Sequence, residues 1–246
     1  LLDRLYIAAE GAGLRREDRR KACEVAAMLE EVDRAAARLS RRSALLLVDA
    51  AAGKSYVGLL AAKLILDATG RQASVITIER DPQRVEASRH AAERLGTTIP
   101  VECRAASVEE AAAWPPQPSI ITALHACGDA ADAIIDRAIA CRARTLLLVP
   151  CCTSDAVAAS SQACTHADAL GIPRHAPVRR RFIQSVIDAE RTWRLEAAGY
   201  ETEVVEFVAP TTTPHNLLWR ARLVLEPRRM ATAKSAWTCL MKADTN

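Results

Sequence analysis

Leu45-Leu-Leu-Val-Asp-Ala-Ala-Ala-Gly-Lys-Ser-Tyr56 is the stretch on which the reading of this 246-residue chain turns. Ala44 to Val48 is short, aliphatic and without alternation, which predicts a strand covered on both faces of a parallel sheet. Asp49 stands at its carboxyl end, Gly53 lies in the following turn, and Lys54 to Thr69 reads as a helix. A turn of small residues lets backbone approach a ligand closely, and a helix start presents unpaired N–H groups. The stretch outlines a site for a nucleotide-type cofactor.

Alternating strands and helices follow. Ala73 to Glu79 reads as the second strand, and Asp81-Pro82 starts a helix that runs to Leu95 and stops at Gly96. Pro100 to Arg104 is a short third strand, and Ser107 with Glu110 forms a capping-box pattern. Ser119 to Leu124 is the fourth strand, Asp129 to Cys141 its helix and Thr145 to Val149 the fifth strand. Asp155 to Leu170 is a loose Ala/Ser-rich segment, and Arg181 to Ala198 is helical. Glu201 to Val208 and Leu217 to Leu225 are strands with no helix between them, which predicts an antiparallel pair. Upstream, Arg16 to Leu39 carries apolar residues at helical spacing and reads as a helix covering the sheet or roofing the cleft. The expected fold class is α/β, with helices on both faces of a mostly parallel sheet. The expected division is a helical extension over 1–42, a cofactor-binding domain over 43–226 and a tail over 227–246.

Half of the chain is apolar and 26% is charged, as in an ordinary soluble domain, and the net charge is only +3. No apolar run approaches the roughly 18 residues a bilayer span needs, so no membrane partner is expected. The eight cysteines lie mostly in or beside apolar elements, without CxxC pairs or disulfide-scaffold spacing. That favours free thiols in a cytoplasmic setting and assigns no metal.

Five constellations carry the chemistry. One is the turn Arg104 to Ser107 after the third strand, where Ser107 either borders a bound cofactor or only caps the brief helix. Gly53-Lys54-Ser55 supplies the end of a phosphate-gripping P-loop, but Val48 occupies the place of its first glycine, and no GxGxxG is present. What remains is an acid at a strand end with small residues at alternate positions: Asp49, Ala51, Gly53, Ser55. Glu79, one βα unit later, is placed to accept hydrogen bonds from ribose hydroxyls. Leu124-His-Ala-Cys-Gly-Asp129 and Pro150-Cys-Cys152 follow adjacent central strands, at the edge where open α/β sheets bind ligands. For His125, Cys127, Asp129, Cys151 and Cys152 three readings stand: structural packing, a pocket with His125 as base, or a reactive thiolate or His/Cys metal site. Finally, Arg174-His-Ala-Pro-Val-Arg-Arg-Arg181, continuing to Arg191 and Arg194, is either a phosphate-gripping flank or a solvated helix start.

The spacing of Asp49, Ala51, Gly53 and Ser55 resembles the glycine-rich first motif of class I S-adenosylmethionine-dependent methyltransferases, with Ala51 and Ser55 in place of two glycines. The His-Ala-Cys-Gly-Asp and Cys-Cys segments resemble those of a narrower methyltransferase-like family. It includes the eukaryotic enzyme that 2′-O-methylates the tRNA acceptor stem. Thr213-Pro-His-Asn216 is similar to a related downstream motif, while the tRNA enzyme's zinc-binding segments have no counterpart here. The resemblance implies a Rossmann-like seven-stranded methyltransferase sheet with its terminal strand antiparallel. It implies S-adenosylmethionine held by Asp49, Ala51, Gly53, Glu79, Ser107 and His125, with His125 and Asp129 at the methyl-transfer face. Cys151, Cys152, Arg179, Arg180 and Asn216 would face the substrate. The acceptor implied is RNA; the alternatives are a small molecule of secondary metabolism, or a degenerate fold serving as a binding module.

Overall fold

The aliphatic runs set the architecture, because a run apolar on both sides must be covered twice. The computed structural model describes residues 15–152, 156–213 and 216–242. Helix α1 (Arg16–Ala37) precedes strand β1 (Leu45–Ala50). Helix α2 (Tyr56–Ala61) continues through a π-helical stretch, Ala62–Leu66, into α3 (Asp67–Thr69). Then come β2 (Ala73–Glu79), α4 (Pro82–Leu95), β3 (Val101–Ala105) and a 3₁₀ turn at Ala111–Ala113. β4 (Ile120–Cys127), α5 (Ala130–Ala140) and β5 (Thr145–Cys152) follow. Helices α6 (Ser160–Ala169) and α7 (Ala176–Ala197) lead to β6 (Tyr200–Glu206), β7 (Leu217–Leu223) and α8 (Pro227–Met241).

The seven strands form one sheet in the order β3-β2-β1-β4-β5-β7-β6. Strands β1 to β5 pair in parallel; β7 slots between β5 and β6 and is antiparallel to both. This is the Rossmann-like arrangement expected, including the antiparallel terminal pair. Along β5, Leu147 and Val149 face α1 and α2 with Met28, Val32 and Val57. Leu146 and Leu148 face the opposite layer, with Ile134 and Ile135 of α5 and Leu195 of α7. Both sets are buried, which is why the strand's sequence does not alternate.

Several boundaries differ from expectation for local reasons. The first strand runs to Ala50, and its helix starts at Tyr56, because Ser55 holds a left-handed backbone with φ 56°. β4 and β5 extend three residues beyond their expected ends, so His125 lies inside β4, where the register with β5 is irregular. α7 begins at Ala176, five residues early; Pro177 suits a first turn, where no N–H is needed. The tail forms α8, which packs on α6 and α7 through Leu240, Met241, Phe182 and Val186. No helix among the described residues is long and apolar enough to cross a membrane.

Candidate active site

The turn after β1 is left-handed at every second residue: Ala51 at φ 50°, Gly53 at φ 58° and Ser55 at φ 56°. For Ala and Ser that conformation costs about 1–2 kcal/mol each. These residues thus adopt the backbone shape of the glycines they replace. The turn is held by the Ser55 N–H on the Ala52 carbonyl at 2.7 Å and by the Ala52 N–H on the Ile78 carbonyl at 3.0 Å.

Two carboxylates anchor it. Glu79 accepts from the Gly53 N–H at 2.7 Å through one oxygen and from the Asp81 N–H at 3.0 Å through the other. Each oxygen retains a second lone-pair direction for a ribose hydroxyl. Asp49 turns inward, is 2% exposed, and accepts from the Gly58 N–H at 2.8 Å and the Thr122 hydroxyl at 3.3 Å. A Cβ on Gly58 would lie 3.1 Å from Asp49 and from the Thr77 methyl, so glycine is what lets α2 come this close. Burial raises the Asp49 pKa to about 7; the Gly58 and Thr122 hydrogen bonds oppose the rise and the Glu79 charge adds to it.

Whether this turn fits a bound S-adenosylmethionine can be judged from its own atoms. A Cβ on Gly53 would meet nothing within 4 Å, so space lies open above the turn. The Ser55 hydroxyl is buried and has no hydrogen-bond partner. A buried polar group of that kind is unusual, and a polar ligand group would satisfy it. The residues fit the cofactor.

The other expected residues fall in different places. Ser107 follows β3, its N–H bonded to Glu110 at 2.8 Å and its hydroxyl to Glu109. The adjacent Ala106 N–H bonds the Glu79 carbonyl at 3.0 Å, so the two turns are neighbours. His125 sits near the end of β4 with φ 64°, and its Nε2 is 2.9 Å from Glu24 Oε2 of α1. Asp129 is exposed at the start of α5, without a capping bond. Cys127 stands opposite Cys152 in the β4–β5 ladder. Adjacent strands therefore bring the two Cys-containing segments together. The side chains of Cys151 and Cys152 lie outside the described residues.

Cys127 is disulfide-bonded, whereas Cys23, Cys103, Cys141, Cys164 and Cys239 are free thiols, so the expectation of uniformly free cysteines is corrected at Cys127. No group of three or more His, Cys, Asp or Glu suited to a metal occurs among the described residues.

The expected substrate-facing residues spread out. Arg179 pairs with Asp168 at 3.0 Å and donates to the Cys164 carbonyl, tying α7 to α6. Arg180 is exposed. Asn216 is buried and donates to the Val208 carbonyl at 2.9 Å, closing the β6–β7 connection. Pro214 and His215 of the downstream motif lie outside the described residues. Sequence reasoning missed Glu24. Its one signal was position: Glu24 lies one helical turn before Met28 and two before Glu31, on the stripe that α1 buries. Lys21 rests over the Tyr56 ring at 4.9 Å, and burial and nearby Lys54 lower its pKa. A cationic edge therefore borders the turn.

A family model described as a methyltransferase domain matches residues 20–158, more than half of the chain. The chain belongs to this methyltransferase family. With that fold and family, the enzyme class and the S-adenosylmethionine dependence expected from the sequence both stand. No curated protein sequence matches the chain significantly. Among solved structures, magnesium protoporphyrin IX methyltransferase from Synechocystis PCC 6803, with bound S-adenosylhomocysteine, aligns at 14% identity and a TM-score of 0.51. That alignment covers 89% of this chain and 91% of that one. The CMeT domain of the citrinin polyketide synthase aligns at 13% identity and a TM-score of 0.53, over 87% of this chain and 58% of that one. At these identities the likeness concerns the fold.

Proposed function

We propose that this methyltransferase transfers the methyl group of S-adenosylmethionine to a hydroxyl of RNA, with His125 as the base. The observation that carries the reading is the 2.9 Å contact between His125 Nε2 and Glu24 Oε2, near the carboxyl end of a central strand. A carboxylate accepting from Nε2–H orients the imidazole and stabilises the imidazolium once a proton arrives. A hydroxyl acceptor needs such a base, because it must lose its proton as the new bond forms. Support for RNA comes from the motif resemblance to the tRNA 2′-O-methylating family and from exposed Arg174, Arg180 and Arg181.

When bound, S-adenosylmethionine supplies an electrophilic methyl carbon on a positively charged sulfur. The chain's own task is to hold and align. The Ala51–Ser55 turn, Glu79 and Ser107 would hold the cofactor, and His125 would take the acceptor's proton.

The test is transfer of labelled methyl from S-adenosylmethionine to total RNA. His125→Asn tolerates the left-handed backbone. It should lower transfer by about 10²–10⁴-fold, and calorimetry should show cofactor affinity little changed. Glu24→Gln should give a smaller loss. Undiminished transfer by His125→Asn would remove the base assignment. Label entering no RNA fraction, with cofactor binding intact, would remove the RNA acceptor.

A further inference from the structure

The outer face of the sheet over β5, β7 and β6 is only partly roofed. Between it and the second half of α1 lies a groove of about 980 Å³. Arg34, Arg38, Arg144, Arg220, Arg222 and Arg229 all line it. It opens where β5 begins, at Thr145, the end of the sheet opposite the Ala51–Ser55 turn.

The groove follows from strand alternation. Leu218 is buried under α1, so Arg220 and Arg222 point to the same side, with Glu203 and Glu201 opposite them on β6. Arg220 bonds Glu31 at 2.8 Å and Glu203 at 3.1 Å; Arg34 bonds Glu31 at 2.5 Å. Arg222 pairs with Glu201, which also lies 3.7 Å from Arg229. Three glutamates are thereby shared among four arginines, which fixes the guanidinium planes. Arg38 and Arg144 are exposed and have no ion pair among the described residues. Arg229 also meets Glu196 at 3.3 Å and Glu226 at 3.7 Å, and Arg34 lies 3.9 Å from Glu30, so the unpaired positive charge of the groove is that of Arg38 and Arg144.

The occupant this suits is a run of phosphates. Guanidinium groups fixed in a row match phosphate geometry, and the charged floor excludes an apolar helix. The same helix bears Arg16, Arg19, Arg20 and Lys21 at its other end, interleaved with Glu17 and Asp18, and Lys21 meets Tyr56 beside the Ala51–Ser55 turn. At 1.5 Å per residue, Lys21 and Arg38 stand about 25 Å apart along the axis. Between them the exposed charges of α1 include Glu30 and Asp33, so the helix offers two separate cationic patches and no continuous stripe. A single nucleotide cannot bridge that distance; a folded RNA can.

We propose that this groove docks the phosphate backbone of a structured RNA, about 25 Å from the acceptor nucleotide along α1. The proposal rests on the RNA reading above. The test titrates full-length protein with folded tRNA over a series of salt concentrations and measures cofactor affinity in parallel. Arg38→Glu/Arg144→Glu should weaken tRNA binding at least tenfold and flatten the log–log salt dependence by about 2. Cofactor affinity should be unchanged. Wild-type binding of tRNA with the variant identical in affinity and slope overturns the groove and leaves the RNA reading standing. Wild-type protein that binds cofactor but no RNA overturns both. Should the charge reversal lower the melting temperature, Arg38→Gln/Arg144→Gln carries the same comparison with half the change in charge.

Discussion

Glu79 holds two backbone N–H groups at once, one from its own strand's exit and one from the turn 26 residues earlier. It therefore braces the Gly53 turn, and in the proposed site its oxygens would also meet a ribose. Glu79→Ala should cost about 1–3 kcal/mol through the orphaned Gly53 N–H. It should also weaken S-adenosylmethionine binding at least tenfold by calorimetry; an unchanged affinity would remove Glu79 from the cofactor site. Residue type and spacing made the placing of Glu79, Gly53 and His125 at strand ends and in the turn legible in sequence. Glu24 was not, because it meets His125 across 101 residues of chain, and no local pattern encodes that meeting. Ala51 and Ser55 teach the converse. Read as letters they depart from the glycine motif, yet their φ angles keep its shape.

At the scale of elements, the join between α5 and α7 decides what the arginines of α7 do. In sequence, Arg191 and Arg194 continue a basic run. In the fold Arg191 is fully buried and bonds Asp132 at 3.1 Å; Arg194 bonds Asp132 at 2.5 Å, Asp136 at 3.0 Å and Glu190 at 3.2 Å. These arginines clamp helix to helix, which withdraws them from any substrate. Removing the shared acid leaves the buried Arg191 with only the more distant Asp188, at 3.9 Å. Asp132→Ala should therefore lose about 3–5 kcal/mol and roughly 10 °C in melting temperature. Asp132→Leu with Arg191→Met should recover much of that. A melting temperature for Asp132→Ala within about 2 °C of wild type would show that the pair does not hold α7. The helices themselves were legible from their spacing; their partners were not, because a charged face reads alike whether it meets water or an opposite charge.

For the whole molecule, Asp49 links stability to pH. Its folded pKa of about 7 lies above its unfolded value near 3.9. The folded state therefore binds the extra proton between those two values. Stability falls as pH rises from about 4 to about 7 and is flat beyond. Asp49→Asn should remove on the order of 3 kcal/mol of the loss between about pH 5 and pH 8, read as the wild-type-minus-variant difference in denaturant melts. An identical pH slope in the two proteins would refute the protonated, buried Asp49. The sequence by itself determined the sheet, the antiparallel final pair and the position of the Ala51–Ser55 turn, because hydrophobic period and turn chemistry are local. Only the tertiary structure decided which way Asp49 faces, which acid meets His125, and which arginines stay free. Those outcomes depend on how segments far apart in the chain pack against one another, and burial and pairing there set the charge each group carries.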